Sequence, residues 1–103
     1  MTLPGADVQG FVDGPRCSYR AALMVRTAQS QAVVCDEGSG LYTYKGLRLI
    51  DSARIDVPGA VPNQTGFVAT NTAADTRYVL SRSGLAIYTN GQVYSEPAVA
   101  SGP

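Results

Sequence analysis

The sequence predicts an all-β domain, an antiparallel sandwich or small barrel of seven to eight short strands. Three observations predict it. Short segments rich in Val, Ile, Tyr and Thr recur along the chain, with turn signals between them every 8–12 residues. Several of these segments alternate apolar and polar residues with the period of a strand. Asn90-Gly91 separates two of them, and that pair favours the two-residue turn of a tight hairpin.

Taken in order, residues 1–16 hold two Pro and three Gly and show no periodicity. They read as a leader or linker that drapes over the domain or stays mobile, and Leu3, Val8, Phe11 and Val12 are the residues able to pin it. A single β domain is expected over 17–97. Within it, Arg20–Arg26 reads as a strand. A short helix near the N-terminus is the alternative, because Tyr19, Ala22, Leu23 and Arg26 also have helical spacing. Gln31–Asp36 is a short buried strand by its β-branched content. After a turn at Glu37–Gly40, Leu41–Ile50 forms the next strand. Gly46 interrupts it and marks a bulge, a close backbone approach or a tight turn. Ala53–Val57 alternates cleanly, with Ile55 and Val57 on one face and Arg54 and Asp56 on the other.

Pro58–Thr65 is the longest irregular connection, since its prolines and glycine forbid a central strand. Strands at Gly66–Asn71 and Thr76–Ser81 follow, with a loop between them. Leu85–Thr89 and Gln92–Glu96 flank Asn90-Gly91. A two-residue loop there sets Tyr88 opposite Val93 and Ile87 opposite Tyr94. Pro97 ends the last strand, and residues 98–103 read as a flexible tail.

Composition narrows the function classes. Of 103 residues, 45% are hydrophobic and 16% charged, too apolar for a disordered chain. The formal net charge is zero and no stretch concentrates Lys or Arg, so a nucleic-acid partner is not expected. No apolar run approaches the roughly 18–20 residues that span a bilayer. Met1–Gly14 lacks the basic and apolar regions of a signal peptide. The preferred expectation is that a signal or membrane anchor once preceded Met1; a cytoplasmic protein is the alternative.

The two cysteines, Cys17 and Cys35, read as a structural disulfide, which implies an oxidising compartment. Free buried thiols and a redox pair are the rivals, the latter disfavoured because redox cysteines usually occur as C-x-x-C. With no His, a zinc site lacks ligands and the usual catalytic triads lack their base. No catalytic residue, metal or cofactor is expected. Lys45, the only lysine, reads as a solvated charge rather than the base of a Ser-Lys dyad. Asp51 and Asp56 are the obvious carboxylate pair but read as surface charges. Gly38-Ser39-Gly40 is neither a nucleophile elbow nor a phosphate loop. Asn63-Gln64-Thr65 matches a glycosylation acceptor, a pattern short enough to arise by chance.

Six tyrosines remain to be placed. Tyr42 and Tyr44 share one side of a strand, and Tyr78, Tyr88 and Tyr94 lie in three others. One reading makes them amphipathic sheet residues with their hydroxyls at the rim. The functional reading makes Tyr42, Tyr44, Tyr88 and Tyr94 an interaction surface for a protein or an envelope glycan.

Four segments, VRTAQSQAVVC, YTYKGLRLI, GFVATN and YVLSRSGLAIYTNGQVYSEP, resemble a group of actinobacterial domains from the extracytoplasmic parts of mycobacterial membrane or secreted proteins. The resemblance spans roughly residues 17–97 and rests on core and turn patterns. It implies an envelope location and supplies no catalytic residues. The expected function is therefore a non-catalytic extracytoplasmic interaction or sensor module of the cell envelope. A small-ligand carrier for a lipid or glycan is the first alternative, and a carboxylate-dependent hydrolase the second.

Overall fold

A computed structural model describes residues 5–12 and 14–102. Each of the eight expected strand segments is a strand: β3 (Arg20–Thr27), β4 (Ser30–Gly38), β5 (Leu41–Arg48), β6 (Arg54–Pro58), β8 (Gly66–Asn71), β9 (Thr76–Ser81), β10 (Gly84–Thr89) and β11 (Gln92–Gly102). Short pieces complete the set, β1 (Ala6–Asp7), β2 (Gly10–Phe11) and β7 (Val61–Pro62). Arg20–Arg26 is thus strand rather than helix. The one helical turn among the described residues is a 3₁₀ turn at Thr72–Ala74.

The nine strands from β3 onward form one antiparallel sheet in the order β6-β5-β4-β3-β11-β10-β9-β8-β7. Its two edges, β6 and β7, are consecutive in sequence and joined only by Gly59 and Ala60. The sheet must therefore curl until its edges meet, and it forms a half-barrel. Gly59 makes the bend with φ +77, a conformation that L side chains rarely adopt. The Ala60 amide donates to the Tyr42 carbonyl at 2.9 Å and fastens the bend to β5. The connection expected to be irregular so carries a two-residue edge strand. Pro62 is tolerated there because an edge needs no donor on its open side.

Strand alternation sorts the apolar residues into two cores. The concave face holds Leu23, Val25, Val34, Tyr44, Val57, Leu80 and Leu85. The convex face of β3 and β4 carries Met24, Val33 and Cys35, and the N-terminal segment covers them with Phe11 and Cys17. Phe11 is fully buried, whereas Val8 and Val12 point to solvent; Leu3 lies outside the described residues. The segment expected as a leader is thus a strap belonging to the domain. Its backbone is tied down at Cys17 N to Gln9 O, 2.7 Å, and Ala21 N to Val8 O, 2.8 Å. The Cys17–Cys35 disulfide is present, with a Cα–Cα distance of 5.3 Å. Lys45, expected to be solvated, donates from Nζ to the Arg16 carbonyl at 3.1 Å and holds the same strap.

The C-terminal end also departs from expectation. Residues 98–102 are not a tail: β11 pairs with β10 as far as Pro97 and with β3 from Ala98 to Gly102. The register shifts between Ala98 and Ala100. Pro97 stands where the strand changes partner, so its missing N–H interrupts neither ladder.

Candidate mouth of the half-barrel

The Asn90-Gly91 turn adopts positive φ at both residues, 51 and 76, and sets the register expected: Tyr88 opposite Val93, Ile87 opposite Tyr94. Directly opposed residues share a face. Tyr78 pairs with Ile87 and Ala69 in turn, so Ala69, Tyr78, Ile87 and Tyr94 form one row across the concave side of β8 to β11. Tyr44 and Gly46 face this row from β5. The rings of Tyr44 and Tyr78 stack with centroids 4.8 Å apart and planes 19° apart. Deeper in, Tyr42 packs on Phe67 at 4.9 Å.

At the Ala60 end the two edges are drawn together. Away from that bend lies a cleft of about 640 Å³. Ile55, Tyr44 and Gly46 line one wall; Tyr78, Ile87 and Tyr94 line the other. Gly46 is neither a bulge nor a turn, since Ala32 and Ile55 flank it in regular register. It is the site of a close approach, made by the Tyr44 ring. A Cβ at Gly46 would stand 2.8 Å from Tyr44 Oη and 3.2 Å from two ring carbons.

The polar groups of the cleft differ in how they are satisfied. Thr76 and Thr89 share a hydroxyl hydrogen bond of 2.9 Å. Arg48 donates twice to the Asp51 carboxylate, at 3.0 and 2.8 Å. Glu96 points inward from β11 and accepts from the Thr27 hydroxyl at 2.7 Å. No ion pair reaches Glu96 among the described residues. Burial pushes the Tyr44 phenol well above its ordinary value, and the nearby Tyr78 and Glu96 add to the shift. Burial also raises Tyr78, partly offset by the positive charge of Arg48.

The four tyrosines read from the sequence do not form one surface. Tyr44 is 2% exposed and, with the half-buried Tyr42, belongs to the concave core. Tyr94 stands at the mouth, 51% exposed. Tyr88 lies on the outer face, 37% exposed, with Arg77 stacked over its ring at 4.9 Å. Glu96 and Tyr78 were missed as site residues. The signal for Glu96 was available, because alternation from Tyr94 places it on the inner face. The remaining candidates have structural surroundings. Asp51 closes the β5–β6 turn on Arg48, while Asp56 lies opposite Lys45 on the other face from Ile55. Asn63 Oδ1 accepts from the amides of Thr65 and Gly66 at 3.0 and 2.7 Å and shapes the β7–β8 turn. No group of three His, Cys, Asp or Glu stands close enough to hold a metal among the described residues. Among those residues no helix is long and apolar enough to cross a membrane.

Comparison with protein-family models, curated proteins and solved structures gives no match.

Proposed function

We propose that the chain is a non-catalytic binding module that takes a small ligand into the mouth of its half-barrel. The observation that carries this reading is the cleft itself. Its volume of about 640 Å³ falls in the range of small-molecule sites, roughly 300–1,000 Å³. Its walls combine aliphatic side chains, tyrosine rings and a few fixed polar groups, the usual make-up of such sites. The disulfide supports placing the module in an oxidising, extracytoplasmic compartment. A lipid or glycan of the envelope is the ligand class in keeping with that location.

The test is an amide-resolved NMR titration with short glycans and single-chain lipids. Ile55→Trp and Thr89→Trp serve as plugs on opposite walls, with circular dichroism as the fold control. Saturable shifts at Ile55, Ile87 and Tyr94 are expected, and both plugs should abolish them. Shifts that persist in the plugged variants would overturn the reading. Shifts confined to Tyr88 and Val93 would replace it with a macromolecular partner on the outer face.

A further inference from the structure

We infer that the mouth selects an organic cation of the alkylammonium or quaternary ammonium class, an inference that rests on the mouth being a ligand site. Among the described residues, Glu96 is the only carboxylate lining the cleft. It is half-buried, and among the described residues a single hydroxyl, that of Thr27 at 2.7 Å, hydrogen-bonds to it. A partly buried carboxylate with one neutral hydrogen-bond donor attracts a positive group. The two arginines of the lining do not supply that charge. Arg48 is paired with Asp51 through Nε and Nη2. Arg54, exposed at the start of β6, borders the cleft as well, and among the described residues no ion pair joins it to Glu96.

The walls fit the same ligand. The half-buried ring of Tyr78 and the half-exposed ring of Tyr94 border the space that Glu96 faces, and the buried Tyr44 backs Tyr78 from β5. Aromatic faces attract cations, and most strongly when water is excluded. Ile55, Leu85 and Ile87 add aliphatic surface. That surface suits a cation sheathed in methyl or methylene groups better than a hydrated metal ion.

Choline is the probe, titrated into ¹⁵N-labelled protein at low salt. Its neutral isostere 3,3-dimethylbutan-1-ol and the anion methyl phosphate are run in parallel. Choline should produce saturable shifts at Ile87, Tyr94 and Glu96. The isostere should bind at least about tenfold more weakly, a gap of the size cation–π and charge pairing supply. Glu96→Gln keeps an acceptor for Thr27, so it should fold, and it should also weaken choline about tenfold. Equal binding of choline and its isostere, or unchanged choline binding by Glu96→Gln, overturns the cation assignment and leaves the ligand site standing. Silence of the mouth toward all three probes overturns both. Phosphatidylcholine vesicles separate the two sources of such a cation. Co-sedimentation assigns a lipid headgroup, and choline binding without it assigns a free ammonium; either outcome supports the assignment.

Discussion

Tyr44 and Gly46 sit two residues apart on the concave face of β5, and each sets what the other position accepts. The ring lies across Gly46, which has ordinary strand geometry and no positive φ. Alanine at this position would therefore be free of backbone strain and would lower the entropy of the unfolded chain. The collision with the Tyr44 hydroxyl decides the sign. Gly46→Ala should destabilise by about 1–3 kcal/mol, the usual cost of overpacking a core. Tyr44→Phe removes the nearest atom, and no hydrogen bond to Oη exists among the described residues to be lost with it. The double variant should recover part of the deficit, read as a coupling in urea unfolding of the four proteins. Additive losses would show that the ring moves aside freely. The same phenol sets an alkaline limit. Its folded pKa lies above the unfolded value near 10, so its contribution is complete below about pH 10 and is lost as pH rises beyond it. Thermal melts from pH 8 to 12 should fall by up to about 1.4 kcal/mol of stability per pH unit for this group, and the fall should be shallower in Tyr44→Phe. An identical slope in the variant would refute burial of the phenol as its cause.

At the scale of elements, what could be read from the sequence followed from periodicity. β6 and the β10–β11 hairpin were legible because apolar residues alternate there and Asn-Gly leaves one register. The strap over the convex face was not, because it holds on through one phenylalanine, scattered backbone hydrogen bonds and a disulfide, none of which is periodic. The final half of β11 was hidden for a related reason. Pro97 reads as a stop, and the Ala-Val-Ala-Ser run after it is too small and unpatterned to announce a strand. The mouth was half legible: register placed Ile87 and Tyr94 on one face, but only the curl of the sheet brings Tyr44 and Tyr78 together. The strap's dependence on its bond can be measured. Reducing Cys17–Cys35, or replacing both by Ser, should cost about 3 kcal/mol in the chain-entropy model. Amide exchange should rise at Phe11, Cys17 and Ala21 before it rises in β4 or β5, because the strap lies on the convex face of β3 and β4 rather than within the sheet. Simultaneous loss of protection throughout would mean that strap and sheet form one cooperative unit.

For the whole molecule, the sheet is two four-stranded halves, β6-β5-β4-β3 and β10-β9-β8-β7, with β11 between them. The backbone joins the halves in two ways, through the Gly59-Ala60 link and through a strand that gives its first part to β10 and its second to β3, and the concave core packs them against each other. The mouth depends on this arrangement, since Ile55 and Tyr44 belong to one half while Tyr78 and Ile87 belong to the other. Ending the chain at Pro97 would remove the pairs Ala98–Thr27, Ala100–Arg26, Ser101–Val25 and Gly102–Met24, and with them the amide bond from Ala98 to Ser83 O. β3 would become an open edge beside the buried Val25 and Met24. At about 0.5–1.5 kcal/mol per hydrogen bond, the loss should reach about 3 kcal/mol before any loss of packing is counted. For a domain of this size that lowers the melting temperature by at least about 12 °C, and the stacked tyrosines should lose their near-ultraviolet dichroism as the halves part. A chain cut at Pro97 that melts within about 3 °C of the whole, with its aromatic signal intact, would show that the half-barrel is held by Gly59-Ala60 and the concave core alone.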